Sequence, residues 1–171
     1  SELDCSSLLY GELPFETFKK IVEKLQPKED SVFFDLGSGT GRVVLQAYLM
    51  TKFKKCTGIE LLGGLHDKAC EVQKAFDKTV RPRIEKDLTE RELAFVCEDL
   101  FKIDYSKADF IFMNHPLKDS ELFLKLEEKL LQELPEDISE DRWVADLEQV
   151  SVRIARLGPL NLAAIDEYKS Q

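Results

Sequence analysis

An α/β fold is predicted for this chain: a parallel sheet of about four strands with helices on both faces, followed from residue 135 by an α-helical appendage. Three observations carry the prediction. Short apolar runs bounded by turn residues alternate with longer segments of helical periodicity. A glycine-rich loop, Gly37-Ser-Gly-Thr-Gly41, joins the first apolar run to the next helix. Beyond Leu134 no convincing buried strand remains, and apolar residues recur at the spacing of a helical seam.

The elements follow in order. Over 14–25, Phe15, Phe18, Ile21, Val22 and Leu25 fall on one stripe, which predicts a helix stopped by Pro27. SVFFD (31–35) reads as a buried strand. RVVLQAYLM (42–50) reads as a helix that starts at the glycine loop, and CTGIE (56–60) as a second strand. Residues 64–79 place Leu65, Ala69, Val72 and Phe76 on one helical face. The charged stretch 80–92 is expected to be an exposed excursion. LAFVCED (93–99) and ADFIFMN (108–114) are the third and fourth strands, and 119–133 is a helix with Leu122, Leu126, Leu130 and Leu131 in register. In the tail, Trp143, Leu147, Val150, Ile154 and Leu157 predict a helix opened by Ser139, broken at Gly158-Pro159 and followed by one more short helix.

Composition narrows the function. The 171 residues carry a net charge of −9, which argues against nucleic acid as a partner by overall field. Cys5, Cys56, Cys70 and Cys97 form no C-x-x-C pair, and with only His66 and His115 beside them a metal site is not expected. The thiols suit a reducing compartment, and no apolar run reaches membrane-spanning length. A cytoplasmic protein without a membrane partner is the expectation.

The glycine loop leaves the carboxyl end of a parallel strand, where open sheets bind ligands. Its sixth place holds Arg42 instead of the glycine of a dinucleotide fingerprint, and the G-K-[ST] of a phosphate loop is absent. Asp35 stands directly before the loop, Glu60 ends the second strand, and Asp99 follows the third. Each acid alone could be a strand-end or helix-capping carboxylate. Three at successive strand tips suit a ligand with an amino group, ribose hydroxyls and an adenine.

Asp35-Leu-Gly37-Ser-Gly39-Thr-Gly41, Gly58-Ile-Glu60 and Glu98-Asp99-Leu-Phe101 resemble the cofactor motifs of class I S-adenosylmethionine-dependent methyltransferases. With Tyr10-Gly11-Glu12 ahead of the first helix, the chain over about 8–134 is similar to the non-SET histone-lysine methyltransferases of the disruptor-of-telomeric-silencing type. That resemblance implies a Rossmann-like domain over 1–134 that binds S-adenosylmethionine and transfers methyl to a protein lysine or other amine. It places Asp35, Gly37 and Gly39 along the methionine part of the cofactor, Glu60 on the ribose, Asp99 and Phe101 at the adenine, and Glu12 over the cofactor. Ser38, Gly41, Leu61 and Leu100 belong to the same motifs and join the cofactor set. Asn114 and Tyr10 are placed at the methyl-transfer channel. Asn114-His115-Pro116-Leu117 is also similar to the N-P-P-Y signature of enzymes that methylate base amino groups, but lacks the second proline and the stacking aromatic.

The pattern departs from that family after Leu134. Its sheet has seven strands; this sequence shows four. The segment RIARLGPLNLAAIDEYKS instead resembles bacterial SMC chromosome-segregation proteins near their C-terminal head, with no Walker A to support ATPase activity. The chain therefore reads as a methyltransferase domain cut to about four strands and joined at 134 to an SMC-like helical appendage, 135–171. Two alternatives to an active enzyme stand: a chimera that keeps the cofactor half without a completed substrate site, and an interaction fragment working through the tail's seam. Self-association through an exposed fourth-strand edge or the tail helix is expected.

Overall fold

The computed structural model describes residues 13–84, 86, 90–114, 117 and 119–133. In chain order they form α1 (Phe15–Leu25), β1 (Val32–Leu36), α2 (Arg42–Met50), β2 (Lys55–Glu60), α3 (Gly63–Thr79), β3 (Glu92–Cys97), β4 (Phe110–Met113) and α4 (Ser120–Glu133), with 3-10 turns at Arg81–Arg83 and Leu100–Lys102. Each lies where the apolar runs and helical stripes of the sequence put it. The two tail helices, and the candidates Tyr10 and Glu12, lie outside the described residues.

The sheet order is β3-β2-β1-β4, with every pair parallel. The chain runs outward from β1 to β3 and then returns to the other side of β1. That reversal opens a crevice at the carboxyl ends of β1 and β4, the topological switch point of an open sheet. Among the described residues β4 pairs with β1 alone.

Strand alternation divides the core in two. Phe33 points to one face, where it joins Phe18 and Val22 of α1, Val44, Ala47 and Tyr48 of α2, and Phe76 of α3. Phe34 and Leu36 point to the other, where they meet Leu126 and Leu130 of α4 together with Leu100, Tyr105 and Ala108. Helices thus cover both faces, as expected. The stripes read from the sequence are wider than the surfaces actually covered. Phe15, Val72, Leu122 and Leu131 are 42%, 42%, 40% and 61% exposed, because the sheet reaches only the central part of each helical stripe. No helix of the described residues is long and apolar enough to cross a membrane.

The expected exposed excursion over 80–92 is anchored at both ends. Arg91 donates to the carbonyls of Tyr48 (2.6 Å), Thr51 (2.6 Å) and Phe53 (3.0 Å), and its guanidinium lies 4.7 Å from the centroid of the Tyr48 ring. Arg81 donates to the Tyr48 hydroxyl at 2.7 Å. Tyr48 and Thr51 close α2, so Arg91 satisfies carbonyls that a helix end leaves without partners and places a cation at the negative end of its dipole. Arg91→Ala is expected to cost about 2–4 kcal/mol, since it removes three charge-assisted bonds and strands partly buried carbonyls. Chemical denaturation of the two chains checks this, and a loss below about 0.5 kcal/mol would contradict it.

Candidate functional site

The carboxyl edge of the sheet gathers most of the candidate residues. Leu36 lies opposite Ile59 of β2 and Met113 of β4, and Glu60 lies opposite Cys97 of β3. The register therefore brings the Gly37–Gly41 loop, Glu60-Leu61, Glu98-Asp99 and Asn114 to one edge.

Glu60 organises the centre. Its side chain is largely buried, with Oε2 accepting the Gly39 N–H at 2.8 Å and Oε1 accepting the Leu62 N–H at 2.9 Å. The Gly37 and Ser38 amides both donate to the Ile59 carbonyl, at 2.9 and 3.0 Å. One β2 terminus thus holds the whole first half of the glycine loop. Each carboxylate oxygen of Glu60 keeps a further lone pair for a ligand hydroxyl.

Asp35 is 3% exposed. Burial, and secondarily the neighbouring Glu60 charge, push its carboxyl up to about 7 from the ordinary 3.8. Such a group accepts a nearby positive charge readily and tolerates a diphosphate poorly.

The loop needs glycine for two reasons. Gly37, Gly39 and Gly41 have φ of 77°, 55° and 81°, the left-handed region. At Gly41 there is also no room: a Cβ would stand 2.4 Å from two ring carbons of Phe95 and 3.3 Å from Ala69 Cβ. Gly58 serves the same packing, since a Cβ there would meet Ser38 Oγ at 2.7 Å and the Phe95 ring at 2.8 Å. Phe95 is thus the floor under the loop. Sequence reasoning passed it over as one more strand residue; the signal was the facing glycine in Gly58-Ile-Glu60. Gly41→Ala is expected to destabilise the chain by about 2–3 kcal/mol, from left-handed strain plus the clash. Phe95→Leu in the same chain should recover the steric part and leave about 1 kcal/mol. Thermal melts of the single and double variants separate the two contributions, and an unrescued double variant would contradict this packing.

Ser38 Oγ is buried and has no hydrogen-bond partner among the described residues. At the third strand, Asp99 Oδ1 accepts the Phe101 N–H at 3.0 Å and so caps the 3-10 turn. Phe101 is partly exposed beside it, whereas the Leu100 side chain is buried in the second core and can offer the site only backbone. Leu61 is 47% exposed on the same rim. Asn114 is exposed just past β4. The site is therefore an acidic, glycine-floored crevice with carboxylates at three successive strand tips.

Residues 4–138 match the family described as histone methylation protein DOT1. The chain is 30% identical over 139 residues to the "Histone-lysine N-methyltransferase, H3 lysine-79 specific" of Caenorhabditis elegans, a match covering 75% of this chain and 14% of that protein. It is 48% identical over 42 residues to the "Chromosome partition protein Smc" of Coxiella burnetii, which covers 25% of this chain and 4% of that protein. The chain thus spans a small fraction of the length of either relative. It also resembles the solved structure of an RNA methyltransferase from Salinibacter ruber in complex with S-adenosyl-L-homocysteine, with a TM-score of 0.58 and 25% identity over 73% of this chain and 72% of that one.

Proposed function

Because this chain belongs to the DOT1 histone methylation protein family, we propose that it binds S-adenosylmethionine in the β1–β4 crevice and transfers its methyl group to an amine, a protein lysine above all. The observation that carries this reading is the triad of strand-tip acids, Asp35, Glu60 and Asp99, around the glycine loop. The residues fit such a ligand. Asp35 is a buried carboxyl whose charge a cationic amino group or sulfonium would stabilise. Glu60 has lone pairs to spare for ribose hydroxyls, Ser38 Oγ awaits a partner, and Asp99 stands where an adenine amino group would donate.

When bound, S-adenosylmethionine would supply an electrophilic methyl group on a cationic sulfonium: the lone pair of a neutral amine would bond to the methyl carbon as the C–S bond breaks, leaving S-adenosylhomocysteine and a methylated ammonium that gives its proton to water. The protein's work is positioning, without a covalent intermediate. Glu60 fixes the loop through Gly39 and Leu62, and the loop backbone shapes the methionine end. Asn114 stands at the acceptor side. Its amide carbonyl can orient an amine without a charge that would hold it as ammonium, and the amine must be neutral to react. By the family resemblance Tyr10 and Glu12, which precede α1 in the sequence, are assigned to the same cofactor and acceptor machinery. The Salinibacter neighbour is named for RNA. This chain's net charge of −9 favours a basic protein segment over a polyanion.

The test is incubation with methyl-labelled S-adenosylmethionine and either a lysine-rich protein or RNA. Label on lysine ε-nitrogens, located by mass spectrometry, is the expected result. Label on RNA alone, or on neither by a chain that binds the cofactor, would overturn the acceptor assignment.

A further inference from the structure

Behind the Asp99–Phe101 turn lies a polar anchor to which none of the site motifs assigns a role. Tyr105 is fully buried, yet both of its polar backbone groups and its hydroxyl are engaged. Its Oη donates to the Leu100 carbonyl at 2.9 Å. Its N–H donates to Glu133 Oε2 at 2.9 Å, and its carbonyl accepts from Ala108 N–H at 2.9 Å. Glu133, in the last turn of α4, is in turn paired through Oε1 with Lys129, whose ammonium lies 5.3 Å from the centroid of the Tyr105 ring. The phenol edge packs on Phe34 of β1, 5.7 Å between ring centroids at 79°.

Leu100 is the middle of the three residues at issue. On one side of it Asp99 presents its carboxylate, with Oδ1 already committed to the Phe101 N–H; on the other stands the Phe101 ring. A three-residue 3-10 turn is a weak element by itself. Within the turn the bonds are the Asp99 cap and one Lys102 N–H to the Asp99 carbonyl at 2.9 Å, and Glu98 adds an acceptor for the Asp99 N–H at 2.9 Å and an ion pair with Lys102 at 3.3 Å. The Leu100 side chain seats the turn in the second core, the Tyr105 hydroxyl adds the hydrogen bond that fixes the Leu100 carbonyl, and the Tyr105 backbone N–H, bonded to Glu133, links the same residue to α4.

We infer that Tyr105 is a positioning residue for base selection: anchored to the Glu133 end of α4 through its backbone N–H, it fixes the Leu100 carbonyl through its hydroxyl and thereby the spacing of Asp99 and Phe101 around a purine bearing an exocyclic amino group. The inference rests on the proposed cofactor reading. Selection works by geometry. A carboxylate held in place accepts from the 6-amino group of adenine and repels the 6-keto oxygen of hypoxanthine; a carboxylate on a loosened turn discriminates less.

The experiment compares S-adenosylhomocysteine with its deaminated analogue, S-inosylhomocysteine, by calorimetric titration of the wild-type chain and Tyr105→Phe. The phenylalanine keeps the ring and its packing and deletes only the donor. The expected result is about a tenfold loss of S-adenosylhomocysteine affinity, a smaller loss for the inosine analogue, and so a collapse of the discrimination ratio. Glu133→Ala, which removes the acceptor for the Tyr105 N–H, should shift the ratio the same way. Circular dichroism verifies that both variants are folded. A purely structural role would lower stability while leaving the ratio as in wild type, and that outcome overturns the inference. A wild-type chain that binds neither ligand overturns the cofactor reading and this inference together; a wild type that binds and a Tyr105→Phe variant that matches it overturns the inference alone.

Discussion

Glu60→Ala is expected to lower affinity for S-adenosylmethionine by at least about a hundredfold and to destabilise the unliganded chain by about 2–4 kcal/mol. Both effects come from one carboxylate. In the free chain its two oxygens accept the Gly39 and Leu62 amides, at 2.8 and 2.9 Å, inside a largely buried crevice. Alanine leaves both donors without a partner, and unmade bonds to buried amides cost more than made ones contribute. The glycine loop then loses its tie to β2 at Gly39, and its positive-φ residues are free to relax. The cofactor would meet a loop that must be ordered on binding and would find no acceptor for its ribose hydroxyls. Glu60→Gln separates the two roles. Its amide oxygen can accept from only one of the two sides and its NH2 faces the other N–H donor, so only about half of the stability should return while cofactor affinity stays reduced by about tenfold. Denaturation curves and ligand titrations on the three chains read this out. An alanine variant as stable as wild type that still binds the cofactor would contradict the organising role of Glu60.

Asp35 should make both stability and cofactor binding depend on pH near neutrality. Its carboxyl is raised from 3.8 to about 7, by burial first and by Glu60 second. A carboxyl raised on folding binds its proton more tightly in the folded than in the unfolded chain. Its proton therefore favours folding at low pH, and stability falls as pH climbs from about 4 to about 7. The shift corresponds to roughly 2–4 kcal/mol over that window. Asp35→Asn should flatten the dependence and leave the unliganded chain more stable than wild type at pH 8. Binding should run the other way. A ligand carrying a sulfonium and an ammonium prefers the ionised carboxylate, so affinity should rise about tenfold per pH unit up to about 7 and level off above it. Asp35→Asn should bind weakly at every pH. Titrations in buffers of different ionisation enthalpy would show a proton released on binding at pH 6; no proton release, with pH-independent affinity, would count against this role for Asp35.

The two acids also illustrate what a sequence reveals. The strands were legible because SVFFD, CTGIE, LAFVCED and ADFIFMN are compact apolar runs between turn residues, and α2 because it begins where the glycine loop ends. The parallel arrangement followed from the alternation of strand and helix. The site acids were legible because a parallel sheet gathers its strand ends on one edge. Less could be read wherever tertiary packing decides. Helical periodicity marked the α4 stripe but not that Leu131 would stand 61% exposed while Leu130 is buried. Arg81 and Arg91 looked like solvated charges, yet they stack on Tyr48, a contact between residues far apart in the chain. Phe95 beneath Gly41, and Tyr105 behind Leu100, depend on which side chain faces which across the fold. The raised carboxyl of Asp35 depends on burial depth and on the nearness of Glu60, which a linear motif does not record.

The crevice at the carboxyl edge of the sheet is built to hold the cofactor. Calorimetric titration of S-adenosylhomocysteine into the purified 171-residue chain tests it most directly. Saturable binding of one ligand per chain, lost in Glu60→Ala, is the predicted result. A chain folded by circular dichroism that takes up no ligand would contradict it.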